Sequence, residues 1–372
     1  MRRLSKIFGI VLIFSLLFQG ALAAQSGSIP VTQPAPLTEL EKLGIQGRDL
    51  ILARKYDEAI AYFKKIENDY PDSTLGTFGQ MAVLQSRMFE NFDFRFDKDY
   101  LELSAKNKEI VDKVLRNPDS SAWDLFLAGA SAGIRGFYLM RKDQVFKALS
   151  EAGTARKALE KTLQKDPSFA DVYLGLGMFD YWRSVFTNRF KFLPFFSDKR
   201  AQGLAEVEKA MREGRVVNAL AEASLAFCYY EGRQNAKAIN LLLDLLKKYP
   251  DNVIFKNILG DLYASQRNFV EAHKMFDAVL NAHPDINLPR FFKAKSFFMD
   301  GNYSEARKWY EDFIAHKPTP EWASYAVADL GRLDLKEGKE KEAYDRFKEA
   351  LHLYEDNKGA LYELQKLRDK RW

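Results

Sequence analysis

Residues 253–284 read VIFKNILGDLYASQRNFVEAHKMFDAVLNAHP, and the design of this block returns along the chain. Pro250, Pro284 and Pro318 mark two equal steps. Ala226, Gly260 and Ala294 keep the same interval, as do Tyr229, Tyr263 and Phe297. So do Ala238, Ala272 and Ala306, each followed one helical turn later by Leu242, Phe276 or Tyr310. A fixed period of about 34 residues marks a stacked helical repeat. It moves the functional expectation from chemistry toward binding, because stacked repeats build an extended recognition surface.

The spacing has physical causes. Small residues at recurring positions let the two helices of a unit approach closely. Large residues three and four apart share one helical face and fill the seam. Proline cannot continue the second helix and stops it before the next unit. The block from Val253 supplies Leu259, Gly260, Tyr263, Ala272, Phe276, Val279 and Pro284. The block from Leu40 supplies Leu43, Gly47, Ala59, Phe63 and Pro71, and the block from Ser324 supplies Leu330, Gly331, Ala343, Phe347 and Ala350. In these residues the chain resembles tetratricopeptide repeats, with departures at Lys256 and Ile66. The resemblance implies an all-α solenoid of helical hairpins in which the first helix of each unit, helix A, lines a concave groove. It implies groove residues at Phe227, Tyr230, Asn257, Asp261, Phe291, Lys295, Phe298 and Arg332.

The middle of the chain has a longer period. Pro71, Pro118 and Pro167 mark wider steps. Three consecutive units therefore carry about 13 to 15 extra residues each beyond the regular repeat. The late positions Ala155, Leu159, Val207 and Ala210 are kept, which puts the additions near the turn between the two helices of each unit. The expected organisation is a leader at 1–23, a flexible lead-in at 24–39, a repeat unit at 40–73, three extended units at 74–218, four regular units at 219–357 and a polar capping helix at 358–372. That makes about eight hairpins. The run Tyr173 to Tyr181, followed by Leu193-Pro194-Phe195-Phe196 and Gly203-Leu204, resembles a group of envelope tetratricopeptide proteins. Over this short stretch it is distantly similar to tetratricopeptide-repeat-39-type proteins.

Chemistry is sparsely signalled. Gly129-Ala130-Ser131-Ala132-Gly133 fits the pattern of a nucleophile elbow, which would make Ser131 a hydrolase nucleophile. The elbow needs a strand before the serine, and Ala122 to Ala128 is helical in pattern, so small residues at a helix contact are the simpler reading. The four histidines, His273, His283, His316 and His352, form no i, i+4 pair and no Cys/His cluster, so no metal site is expected. No phosphate-cradling glycine loop occurs, and no cofactor is expected. Cys228, the single cysteine, reads as a small buried hydrophobe. The scaffold reading is therefore a non-catalytic one, with a protein or peptide partner in the cell envelope.

The inserted segments are aromatic. Residues 89–100 contain Phe89, Phe92, Phe94, Phe96 and Tyr100; residues 185–200 contain Phe186, Phe190, Phe192, Phe195 and Phe196; the unit between gives Phe137, Tyr138 and Phe146. Equivalent positions in stacked repeats fall on one edge, so Phe92, Phe137 and Phe192 are expected to form one aromatic group. Three readings stand: the core of lengthened hairpins, a site for a small hydrophobic molecule or lipid at Phe92, Phe94, Phe96, Phe137, Phe190, Phe192, Phe195 and Phe196, or, with Arg189, Lys191, Lys199 and Arg200 alongside, contact with a membrane surface.

Arg2, Arg3 and Lys6 precede an apolar run from Ile7 to Phe18, and Ala21-Leu22-Ala23 follows at the spacing of a cleavage site. This is the order of a secretory signal peptide, and the run is short for a membrane span of about 20 residues. Without residues 1–23 the chain holds 53 Lys+Arg against 51 Asp+Glu, near +2. A balanced surface of this kind gives no footprint for nucleic acid. The expected location is periplasmic or secreted. N-terminal sequencing of the protein from an envelope fraction should read from Ala24 or Gln25; an intact Met1 in the membrane pellet would mean an uncleaved anchor.

Overall fold

The computed structural model describes residues 36–187 and 197–367, with no strand among the described residues. Among the described residues the helices follow one another as eight consecutive pairs. They are α1 (Glu39–Leu52) with α2 (Tyr56–Asp69), α3 (Leu75–Asn91) with α4 (Asp97–Arg116), α5 (Ala122–Arg141) with α6 (Val145–Lys165), and α7 (Val172–Thr187) with α8 (Arg200–Glu213). The regular hairpins follow: α9 (Asn218–Glu231) with α10 (Asn235–Lys248), α11 (Val253–Ser265) with α12 (Phe269–Ala282), α13 (Leu288–Asp300) with α14 (Tyr303–Ala315), and α15 (Pro320–Lys336) with α16 (Glu340–Leu353). A last helix, α17 (Lys358–Leu367), packs on α16. This is the all-α, tetratricopeptide-like hairpin fold that the sequence implies. Residues 1–35, 188–196 and 368–372, which include the leader, part of the lead-in and the end of the capping segment, lie outside the described residues. Among the described residues no helix is long and apolar enough to cross a membrane.

Each of three hairpins is closed by a glycine on its first helix. A methyl group at Gly260 would lie 2.5 Å from the Phe276 ring, one at Gly47 2.2 Å from Phe63, and one at Gly331 2.9 Å from Phe347. The separation along the chain is the same in all three pairs. In the extended hairpins the same contact joins residues further apart in sequence, Gly129 with Leu159 and Gly177 with Val207. In α5 and α6 the extra residues lengthen both helices, to 20 and 21 residues; α3 and α4 are likewise long, at 17 and 20. In the fourth hairpin α7 and α8 have 16 and 14 residues, and the additional length falls between them. Gly177 and Gly203 face each other so closely that a methyl on either would meet the carbonyl oxygen of the other at 2.5 Å. That contact gives the glycines of the Tyr173–Tyr181 run and of Gly203-Leu204 a packing role.

The ends of the helices follow local rules. Just after the first helix of seven hairpins the backbone turns left-handed, at Arg54, Phe92, Asp143, Arg233, Arg267, Gly301 and Gly338. Only the last two are the residue type that adopts this conformation without steric cost. Thr38 with Glu41 and Ser121 with Asp124 form capping boxes at α1 and α5, satisfying N–H groups that the first helical turn leaves open. Asn252, Asn268 and Asn302 each accept a hydrogen bond from the backbone N–H three positions on. Helices α10, α12 and α14 stop just short of Pro250, Pro284 and Pro318.

By their packing the helices divide into two units: residues up to 85 with 97–241, and residues 86–96 with 242 onward. Inside the first, Tyr100 stacks on Tyr138 with ring centroids 4.1 Å apart. Beside them runs a buried polar chain. Asn107 donates to Thr77 at 2.9 Å and to Ser131 at 3.2 Å, Arg135 donates to Asn107 at 2.5 Å, and Arg135 grips Glu151 at 2.8 Å. In the same unit the connection before α9 lies against α1. Asp171 accepts the N–H groups of Arg215, Val216 and Val217, Arg215 pairs with Glu41 at 3.1 Å, and Arg48 donates to Asn218 at 2.9 Å. Inside the second unit Phe291 is the hub of an aromatic core, with Trp322, Phe313, Tyr310 and Phe292 all within 5.8 Å.

A large side chain at Gly260 overpacks this geometry at a cost of about 1–3 kcal/mol. Gly260→Leu should lower the unfolding midpoint clearly in a denaturant melt. An unchanged curve would show that the Gly260–Phe276 contact does not close the hairpin.

Candidate functional site

The first helices of the second unit carry a row of charges at the repeat interval. Asp261 on α11, Lys295 on α13, Asp329 on α15 and Glu363 on α17 follow one another in equal steps of one repeat. Lys295 reaches Asp261 at 2.5 Å; Arg332, one turn beyond Asp329, bridges Asp329 at 2.5 Å and Glu363 at 3.3 Å. Tyr310 adds a hydroxyl hydrogen bond to Asp329 at 3.0 Å. The acids Asp261 and Asp329 lie deeper, while Lys295 and Arg332 keep about a fifth of their side-chain surface in solvent. Lys295 and Arg332 thus stand outside Asp261 and Asp329, while Glu363 is as exposed as Arg332. A paired, half-buried row of this kind presents fixed donors to a ligand without an uncompensated charge.

Of the groove residues that the sequence implies, the structure brings Asp261, Lys295 and Arg332 into this row. Phe298 is half-buried and sits against Tyr303, ring centroids 5.7 Å apart. Asn257 is buried, and its side-chain oxygen has no hydrogen-bond partner among the described residues. Phe291 is a correction. It is 3% exposed, closed in by rings of the next hairpin, and is core. Helix position alone does not reveal this, because Trp322 supplies the covering ring from α15. Phe227 and Tyr230 lie half-buried on α9 in the other unit. Asp329 and Glu363 were missed by sequence reasoning, although their interval from Asp261 and Lys295 was available to find them.

The aromatic inserts are less uniform than their spacing suggests. Phe92 is buried against Phe89, at 4.5 Å between centroids, and Trp322, at 5.4 Å, in the second unit. Phe94 and Phe96 are half-buried, with the Arg87 guanidinium 4.5 Å over the Phe96 ring. Phe137 is half-buried on α5 in the first unit. Phe190, Phe192, Phe195 and Phe196 lie outside the described residues. Ser131 is likewise corrected as a nucleophile: it sits inside α5, fully buried, accepting a hydrogen bond from Asn107. A helical backbone on both sides denies it the strand-to-helix turn of an elbow. Among the described residues no group of His, Cys, Asp and Glu is arranged to hold a metal ion.

The model of the family described as Iml2/Tetratricopeptide repeat protein 39 matches residues 137–358, and a tetratricopeptide repeat model matches residues 45–73. Among solved structures the chain is similar to the Cut9–Hcn1 hetero-tetramer of APC/C, with 15% identity and a TM-score of 0.57 over 89% of this chain and 57% of that one. The chain thus spans little more than half of that relative's length, and the likeness bears on the fold alone. It is also similar to a tetratricopeptide repeat protein from Parabacteroides merdae, with 14% identity and a TM-score of 0.49 over 79% of this chain and 99% of that one. A third likeness is to pilF of Pseudomonas aeruginosa, with 17% identity and a TM-score of 0.44 over 65% of this chain and 97% of that one. No curated protein matches the sequence.

Breaking a buried ion pair from one side costs about 3–5 kcal/mol, while replacing both partners by apolar residues is often close to neutral. Lys295→Met should therefore destabilise the protein strongly, and Asp261→Leu added to it should restore most of the loss. Additive losses in a double-mutant cycle would show that the pair does not form.

Proposed function

The chain belongs to the Iml2/Tetratricopeptide repeat protein 39 family, and on that footing we propose that it is an exported scaffold that binds a protein or peptide partner along the helix-A face of its second unit, without chemistry of its own. The observation that carries this is the row from Asp261 to Glu363. Three carboxylates and Lys295 recur at the interval of the repeat, with Arg332 one turn off it, so a bound chain would meet fixed polar groups at regular steps. Lys295 and Arg332 stand outside Asp261 and Asp329, with Glu363 exposed beside Arg332, and the two cations suit carboxylates or backbone carbonyls of a partner. Phe298 gives the row an apolar shoulder. The tetratricopeptide fold itself supports an interaction role, since stacked repeats offer one continuous face. Export, and with it a partner in the cell envelope, is supported by the charged, apolar and small-residue order of residues 1–23.

A second reading, capture of a hydrophobic molecule or lipid by the aromatic inserts, rests on Phe146, which leaves 80% of its surface in solvent at the start of α6.

A pull-down from an envelope fraction, with wild type beside the stability-compensated Lys295→Met/Asp261→Leu groove variant, separates the two. The groove reading expects a protein captured by wild type to be lost from the variant and kept by Phe146→Ser. Equal capture by wild type and the groove variant would contradict it.

A further inference from the structure

Asp180 lies in the middle of α7 and is 4% exposed. Its Oδ1 has no hydrogen-bond partner among the described residues. Three cations surround the carboxylate: Arg156 from α6 at 3.6 Å, Arg183 one turn along α7 at 4.0 Å, and Lys199, just before α8, at 3.6 Å. Each distance is beyond a hydrogen bond. The cations are the outer layer, with 38%, 27% and 34% of their side-chain surface in solvent, against 6% for Asp180. A second acceptor, Glu206 Oε2 on α8, is also buried without a partner among the described residues, while its other oxygen accepts from Gln202 at 2.9 Å.

A buried carboxylate oxygen without a donor is costly to leave so. The groups that cancel its charge stand just too far away to donate to it. Whatever completes the cluster, a water or a bound ligand, donates a hydrogen to Asp180 and accepts from the cations around it. A cationic donor is disfavoured by Arg156, Arg183 and Lys199, of which Arg156 also pairs with Glu160 at 2.8 Å. A fully ionised anion has no hydrogen to give. We propose that this cluster is a site for a phosphate group that retains one acidic hydrogen, as hydrogen phosphate or the monoanion of a phosphomonoester does. The P–OH donates to Asp180, and the remaining oxygens accept from Arg156, Arg183 and Lys199.

Glu206 belongs to the same cluster. Burial raises its carboxyl pKa, a hydrogen bond from Gln202 works the other way, and Asp180 adds a further rise. The second proton of a phosphomonoester has a pKa of about 6, so near pH 7 only about a tenth of it keeps the hydrogen and its binding should tighten as pH falls toward 6. The site shares no residue with the charged row of the second unit, so it stands or falls apart from the scaffold reading.

Sulfate separates this inference from plain charge attraction, because it matches phosphate in shape but carries no proton near neutral pH. Calorimetric titration of the full mature chain should find one saturable site for inorganic phosphate, at least tenfold tighter than for sulfate. Asp180→Asn, whose amide donates where the carboxylate accepts, should abolish that preference. Lys199→Gln should weaken phosphate at least tenfold, and it keeps the test open if Asp180→Asn does not fold. Cosedimentation with vesicles of phosphatidate in phosphatidylcholine, but not with phosphatidylcholine alone, would assign the phosphate to a lipid; binding of the free ion alone would assign it to a soluble phosphomonoester. Equal phosphate and sulfate binding, no saturation, or phosphate affinity unchanged in Lys199→Gln would mean an adventitious ion only and overturn the site.

Discussion

The close approach of the two helices in each hairpin is the constraint on which everything else depends. It is permitted by the absence of a side chain at one position: Gly47 under Phe63, Gly260 under Phe276, Gly331 under Phe347. With the large residue seated in that gap, the seam is filled at native density, and each unit presents a definite face to the next. The charged row of the second unit inherits its regularity from this. Asp261 and Lys295 meet because similar hairpins stack at a fixed step, which puts residues one period apart side by side.

The extended hairpins keep the constraint and change what lies beyond it. Gly129 with Leu159, and Gly177 with Val207, make the same contact across a longer stretch of chain. The hairpin lengthens past the contact, toward its turn. The added length brings polar groups into the interior, and they are met by partners. Asn107, Arg135 and Glu151 form a connected chain in which Arg135 and Asn107 are each hydrogen-bonded to side chains of neighbouring helices. Asp180 stands apart from that pattern. It is buried and compensated in charge, yet one oxygen has no donor among the described residues.

Much of the fold was legible from residue spacing, because the contact that closes a hairpin uses residue types with a strong signature. A glycine and a phenylalanine at one constant separation, repeated along the chain, leave few alternatives. The groove was legible only in part. Asp261, Lys295 and Arg332 are charged, and a charge on an inner helix must find a partner. Phe291 looked the same by position but is covered by Trp322, and no local pattern announces a ring arriving from the next hairpin. Asp180 was hidden differently. It is the one charged residue in an otherwise apolar and aromatic run, Tyr173 to Tyr181. Its cations come from both sides of it in the chain, Arg156 well before and Lys199 well after. Only the packing of α6, α7 and α8 brings them together.

Glycines needed for a helix contact differ from glycines that merely occur in a helix. Gly177 and Gly133 both lie inside helices, but a methyl at Gly177 would meet the Gly203 carbonyl at 2.5 Å, whereas nothing lies within 4 Å of one at Gly133. Thermal unfolding of the two alanine variants is therefore the most direct measurement. Gly133→Ala should stabilise, by about 0.5–1 kcal/mol from helix propensity. Gly177→Ala should destabilise, by about 1–3 kcal/mol from overpacking. Shifts of the same sign and size in both would contradict the claim that close helix contact at a small residue holds these hairpins together.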